Sequence, residues 1–270
     1  MLLEKASEAS PSRTLAKESQ GGNTLVQSID RAMSIIQVLV SDESKPHWSI
    51  SEIAEETTLP LSTVHRLISS LMKYGLIMQN PETKHYKVGY TWMEIGLRLL
   101  DKIDTRAVAR SVMERLAADV NETVYLNIPN GADSIIVERV ESSMTVRIID
   151  NLGERIPLHI GAANKTILAN MAPKEADKIV STLISDSDKR RELLDRLPEI
   201  KRNGYATSYG EKTEGTASVA APILGYNQKV VGALSIGVPS YRITDEVLAT
   251  LIEKAQQSAM EISHKIGALS

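Results

Sequence analysis

Apolar positions in the first third of the chain fall at helical spacing and then give way to two short strand-like runs. Over 24–40, Leu25, Ile29, Ala32, Met33, Ile36, Leu39 and Val40 recur at steps of three and four, the pattern of a helix that buries one face. Ser49-Ile50-Ser51-Glu52 has the form of a capping box, so a second, short helix is predicted from there to about Thr57. Pro60 disfavours helical geometry at Leu59 but is tolerated where a helix begins. A tight turn is therefore expected at Thr58-Leu59-Pro60, followed by a third helix over 61–74. Val64, Leu67, Ile68 and Leu71 form its apolar side. Gly75 ends it, and two strands are expected at 76–79 and 84–88, joined by Asn80-Pro81-Glu82-Thr83.

Further along, apolar residues at helical spacing mark 92–100 and 109–120. The runs 124–128 and 134–140 flank Pro129-Asn130-Gly131-Ala132 and read as a hairpin, with a third strand expected at 145–150. Helices are predicted at 162–171, stopped by Pro173, then at 175–184 and 188–203, the last capped by Gly204. Strands follow at 205–209, 216–224 and 230–238, the last two joined by Gly225-Tyr226-Asn227-Gln228. Thr244 with Asp245 and Glu246 opens a final helix, its carboxylates at the positive end of the dipole. Neighbouring strands in sequence with helices grouped apart imply an α+β fold with an antiparallel sheet. The expected organisation is a flexible tail at 1–22, a winged helix-turn-helix domain at 23–90, a linker helix at 91–104 and a second domain at 105–270.

The polar side of the third helix carries the first chemical signal. Ser62, Arg66, Ser69 and Lys73 lie on one line, flanked by Thr63, His65 and Ser70, with no carboxylate anywhere over 61–74. Arg66, Lys73, Lys84 and Lys87 face the single acid Glu82 across helix and hairpin, whereas Asp42, Glu43, Glu52, Glu55 and Glu56 face only Lys45 before them. Charge segregated in this way suits a polyanion. The order helix, helix, turn, helix, hairpin is that of a winged helix-turn-helix, whose third helix enters the DNA major groove. A three-helix bundle with a solvated polar face has the same periodicity and stays open on pattern alone.

The whole-chain balance of 31 basic against 34 acidic residues is uninformative about nucleic acid, because only a local basic face matters. Zero cysteines exclude disulfides, thiolate zinc sites and thiol nucleophiles. The 1–22 stretch mixes Glu4, Glu8 and Glu18 with Lys5, Arg13 and Lys17 and has no apolar run, which is neither a signal peptide nor a membrane anchor. A cytoplasmic protein with no membrane contact is expected. His47, His65, His85, His159 and His264 are scattered, and no zinc-binding, hydrolase-elbow or phosphate-loop spacing occurs. No catalytic residue, metal or cofactor is expected.

The runs Leu25-Val26-Gln27-Ser28-Ile29-Asp30-Arg31-Ala32, Ile53-Ala54, Leu59-Pro60-Leu61-Ser62-Thr63-Val64-His65-Arg66-Leu67 and Tyr86-Lys87-Val88-Gly89 resemble the N-terminal domain of the IclR family of bacterial transcription regulators. Pro157-Leu158-His159, Lys165, Gly204-Tyr205-Ala206, Glu211, Gly215, Val219-Ala220-Ala221-Pro222-Ile223 and Ala233-Leu234-Ser235-Ile236 resemble that family's effector-binding domain, a sheet of the kind found in GAF and PAS sensor modules. The resemblance implies a transcription regulator whose affinity for double-stranded operator DNA is set by a small-molecule effector, often a carboxylate, and which works as a homodimer or tetramer; members of the family act with either sign, and a repressor is the expectation here. DNA contacts are expected from the helix face and hairpin at Ser62, Thr63, His65, Arg66, Ser69, Lys73, Lys84 and Lys87, and the resemblance places effector contacts at Ala162, Ala163, Ser218 and Ser235. Two departures stand out: Ser218 where many relatives carry Cys, and Asn164 where Gly is common. The competing reading is a ligand-binding protein or small enzyme whose helical N-terminal domain grips a protein partner.

Overall fold

The computed structural model describes residues 26–42, 44–100 and 104–267. The expected 1–22 tail, Leu25 and the 101–103 part of the expected linker lie outside the described residues. The chain divides into two compact units, Met1–Ile95 and Gly96–Ser270.

In the first unit, helices α1 (Gln27–Leu39), α2 (Ile50–Thr57) and α3 (Leu61–Lys73) precede a hairpin of β1 (Ile77–Gln79) and β2 (Tyr86–Val88). The capping box forms: Glu52 N–H donates to Ser49 Oγ at 3.3 Å and Ser49 N–H to Glu52 Oε2 at 2.7 Å. Ile35, Leu39, Ile53, Val64, Ile68 and Ile77 pack with Trp48 and Tyr86 into one core. Trp48 and Tyr86 also exchange backbone hydrogen bonds of 2.9 and 2.7 Å, which widen the hairpin by an isolated bridge. Gly75 leaves α3 with φ +67°, and a Cβ on Gly89 would strike the Gly75 carbonyl, so both glycines are needed for the hairpin to fold back on the helix end.

The expected single buried face of α1 is only partly realised. Ile36 and Leu39 are buried, with Ile35 beside them, but Ile29, Met33 and Val40 are exposed together with Val26. These four lie along one strip next to the buried one. The helix therefore carries two apolar stripes, and the unit itself covers one.

α4 (Thr91–Leu100) contains the division between the units, and α5 (Asp104–Val120) follows. The second unit then contributes β3 (Thr123–Asn130), β4 (Asp133–Val140), β5 (Arg155–Pro157), α6 (Ala162–Asn170), α7 (Pro173–Leu183), α8 (Ser187–Asn203), β6 (Ala206–Tyr209), β7 (Thr216–Leu224), β8 (Val230–Pro239) and α9 (Asp245–Lys265). The six strands form one antiparallel sheet in the order β5-β4-β3-β8-β7-β6. Strand alternation sends Val124, Leu126, Val219, Ala221, Leu234 and Ile236 toward α5 and α9. Ala206, Ala220 and Ala233 turn to the opposite face, where α6, α7 and α8 pack.

Two expectations need correction. Pro173 does not merely stop a helix; it is the first residue of α7, where its missing N–H is no loss. The 145–150 segment is not a strand but an irregular loop, and the strand pairing with β4 is β5 instead. Its carbonyls find side-chain donors rather than a neighbouring strand: Arg242 reaches Val146 O at 2.7 Å, Tyr125 Oη reaches Ile148 O at 2.8 Å and Arg139 reaches Asp150 O at 2.6 Å. Once those groups are satisfied, β-branched composition alone does not make a strand.

Candidate functional site

The chain presents two candidate sites, one on each unit. On the first, α3 buries Val64 and Ile68 and turns Ser62, His65, Arg66, Ser69, Ser70 and Lys73 to solvent, with Thr63 half-buried at the edge. Pro60 opens the helix without a side-chain cap; its carbonyl takes the Thr63 amide at 2.8 Å, which leaves the Leu61 and Ser62 amides of the first turn without a helical acceptor. Ser69 and Ser70 hydroxyls donate back to the carbonyls of His65 and Arg66 at 2.8 and 3.1 Å. Their remaining lone pairs can therefore accept, but their protons are committed. Among the described residues no acid lies within ion-pair distance of Arg66, Lys73, Lys84 or Lys87.

Lys84 sits exposed at the hairpin tip in the left-handed region, φ +59°. Asn80 holds that tip by accepting from the Glu82 and Thr83 amides at 2.9 and 3.1 Å while its carbonyl takes the Lys84 amide. Lys87 is half-buried, its ammonium 5.8 Å from the Tyr90 ring centroid. All eight residues proposed from the sequence thus lie on α3 or the hairpin, with Thr63 and Lys87 the least exposed.

On the second unit a cavity of about 80 Å³ opens between the α6 start and the sheet face opposite α9. Ala162, Ala163, Ser218 and Ser235, proposed from sequence, all line it. They arrive from a helix start and two adjacent strands, in a register that sets Ser218 against Gly237 and Ser235 against Ala220. Sequence reasoning missed Tyr125, Asn127, Ser208, Asp150 and Lys212, which line the same space. Ser208 joins them through the register of β6 on β7, which sets it directly across from Ser218. Tyr125 and Asn127 carried no local signal.

Part of the α6 N-terminus is occupied by the protein's own groups. Gly161, φ +88°, donates its N–H to Glu211 Oε2 at 2.9 Å, and Ala162 N–H points to Ser218 Oγ at 3.4 Å. The buried Lys165 ammonium pairs with the other Glu211 oxygen. Helix geometry leaves the Ala163 and Asn164 amides without intrahelical acceptors. Asn164 Nδ2 is held by the carbonyls of Ile156, Pro157 and Ile160 at 2.8 to 3.3 Å.

The cavity is covered by the 145–150 loop. Tyr125 Oη accepts from the Asp150 amide at 3.1 Å as well as donating to Ile148, and burial pushes its phenol well above the ordinary value, so it stays a neutral donor. Lys212 bridges Asp150 and Glu154 at 2.6 and 2.7 Å. Desolvation works to lower its pKa, but the hydrogen bonds to Asp150 and Glu154 prevail and raise it. A Cβ on Gly237 would come within 3.0 Å of the Tyr125 ring and 3.4 Å of Ile148, so glycine lets this cover close on the sheet. Among the described residues no three acids or histidines are grouped to hold a metal ion, and no helix is long and apolar enough to cross a membrane.

Comparison with known proteins matches residues 28–81 to the IclR helix-turn-helix domain and residues 97–264 to the bacterial transcriptional regulator IclR C-terminal domain. The chain is 32% identical over 250 residues to the HTH-type transcriptional regulator KipR of Bacillus subtilis, covering 89% of this chain and 97% of that protein. It is 26% identical to the acetate operon repressor of Salmonella typhimurium, covering 90% of each. Among solved structures, the Thermotoga maritima IclR superposes with a TM-score of 0.72 at 25% identity, over 89% of this chain and 99% of that one.

Proposed function

The chain belongs to the IclR family of bacterial transcription regulators, and from that premise we propose how it reads DNA and what controls it. It is a regulator with a helix-turn-helix DNA-binding domain and a C-terminal effector domain. In our reading residues 23–90 bind the operator, 91–104 link and 105–270 sense the effector. The observation that carries this is α3: an exposed face without a carboxylate, followed by a basic hairpin whose cations have no acidic partner among the described residues.

Ser62, Thr63, His65 and Arg66 meet base edges in the major groove, Arg66 with the fork that suits a guanine, while Ser69, Lys73, Lys84 and Lys87 meet phosphates. One winged helix spans too few base pairs for a specific site, which calls for a two-fold dimer. The uncovered α1 strip of Val26, Ile29, Met33 and Val40 supports this, as do the exposed Met93, Ile95, Leu97 and Leu99 of α4, a helix apolar nearly all round. Homodimers, or tetramers built from them, cover these stripes. The name of the Salmonella relative supports repression as the outcome of operator binding, and DNA as partner supports a cytoplasmic location.

The effector is a small carboxylate, with Ala162, Ala163, Ser218 and Ser235 around it. It acts by preferring one conformation of the regulator over another, so it shifts operator affinity only by its differential affinity for the two. The test is fluorescence anisotropy on the duplex upstream of the protein's own gene against a scrambled duplex, with small carboxylates added in turn. Preferential binding that one carboxylate alters supports the reading. Equal binding to both duplexes, or none, overturns it.

A further inference from the structure

The cavity has a polarity that narrows the chemistry of what it holds. Along the α6 start the groups are donors: the Ala163 and Asn164 amides have no intrahelical acceptor. Around them oxygen acceptors are left free. Asn164 is 2% exposed, its amide nitrogen is fixed by three carbonyls, and its Oδ1 is buried without a hydrogen-bond partner. The Ser235 hydroxyl, 7% exposed, points its proton at Asn127 Oδ1, 3.4 Å away, which leaves its lone pairs to accept. Ser208, 5% exposed, lines the cavity with no side-chain hydrogen bond among the described residues, so its hydroxyl is uncommitted. The charged pair that borders the space, Asp150 and Lys212, is internally satisfied.

A buried acceptor without a donor is costly unless something supplies the proton. One such oxygen, Asn164 Oδ1, sits beside two hydroxyls able to accept, those of Ser235 and Ser208, and next to two amide donors, an arrangement that suits a molecule accepting at one end and donating at the other. We propose that the effector is a small aliphatic carboxylate bearing a hydroxyl next to the carboxyl group, with its carboxylate on the Ala163 and Asn164 amides and its hydroxyl among Ser208, Ser235 and Asn164. This rests on the effector reading above and sharpens it. Ser208 is the specificity residue it adds. A 2-oxo acid fills the same space but brings no proton for Asn164 Oδ1 and Ser235, and a site built around a hydroxyl rejects the analogue that lacks it. At about 80 Å³ the cavity lies well below the roughly 300 to 1,000 Å³ of sites for drug-sized ligands, which suits a small acid.

The test is calorimetric titration of the purified full-length protein with the matched pair lactate and pyruvate, and with benzoate, alongside Ser208→Ala, Ser235→Ala and Ser208→Asp. Circular dichroism establishes that each variant is folded. Lactate is expected to bind about tenfold more tightly than pyruvate, the scale of one hydrogen bond. Ser208→Ala and Ser235→Ala should each erode that ratio, and Ser208→Asp, which sets a second anion against the carboxylate, should abolish binding of both. Equal affinity for lactate and pyruvate, unmoved by the serine variants, overturns the hydroxy-acid inference while leaving a carboxylate effector standing. Preference for benzoate does the same. Failure of every carboxylate to bind overturns the effector reading itself.

Discussion

The DNA-reading surface and the effector cavity are opposite solutions to placing polar groups. On α3 the working side chains come from one stretch of thirteen residues, face solvent, and owe their position to the two apolar residues buried behind them, Val64 and Ile68. In the cavity, Tyr125, Ala163, Ser208, Ser218 and Ser235 come from four strands and a helix start, and most of the surrounding polar groups hold one another. The difference teaches where damage goes. A substitution on the α3 face should cost binding and leave the fold alone, whereas one around the cavity changes both.

The largest expected effect lies beneath the cavity. Leu126 is fully buried where β3 meets the α5 and α9 layer, so Leu126→Ala should cost about 2 to 5 kcal/mol of stability, read as a fall in urea midpoint. A cost below about 0.5 kcal/mol would remove the contrast with surface positions, which normally stay within that range.

Next is the cover. Tyr125→Phe deletes the hydroxyl that joins Ile148 O and the Asp150 amide, and should cost about 1 to 3 kcal/mol. Amide exchange should speed up at Asp150 and stay unchanged in α3. Uniform exchange across the molecule would show that the 145–150 loop is not held by this contact.

The first unit has its own acid-sensitive anchor. Lys45 at 2.8 Å, then the Ser49 amide, hold the Glu52 carboxyl down to about 2 from an ordinary 4.5. A depressed carboxylate stabilises the fold above its unfolded pKa, and that contribution disappears as pH falls from about 4.5 toward 2. Glu52→Gln should flatten this part of the pH-stability curve without altering operator preference at neutral pH. An unchanged acid limb would assign the effect elsewhere.

The smallest effect is at the hairpin tip. Lys84→Ala should weaken binding to all duplexes alike and reduce the slope of log affinity against log salt by about one. A selective loss on one sequence would make Lys84 a base reader instead.

The same contrast decides what the sequence could reveal. Periodicity, the Ser49 box, Pro60 and Gly75 are local signals, and the three helices and hairpin of the first unit follow from them with ends shifted by a few residues. The uncovered strip of α1 was illegible, because helical spacing tells that residues share a side but not whether the chain supplies a cover. In the second unit, Thr145, Val146, Ile148 and Ile149 look like a strand, and only the distant donors Tyr125, Arg139 and Arg242 make that stretch a loop. The cavity was visible at Ala162, Ala163, Ser218 and Ser235 through resemblance. Ser208 and Asn127 enter only through the register of β6 on β7 and β3 on β8.

The most direct measurement is the affinity of wild type and Arg66→Ala for the upstream duplex and for a scrambled one, at matched salt. The account predicts a loss of about 1 to 3 kcal/mol on the upstream duplex, little change on the scrambled one, and an unaltered melting temperature. Equal loss on both duplexes would contradict base reading by α3.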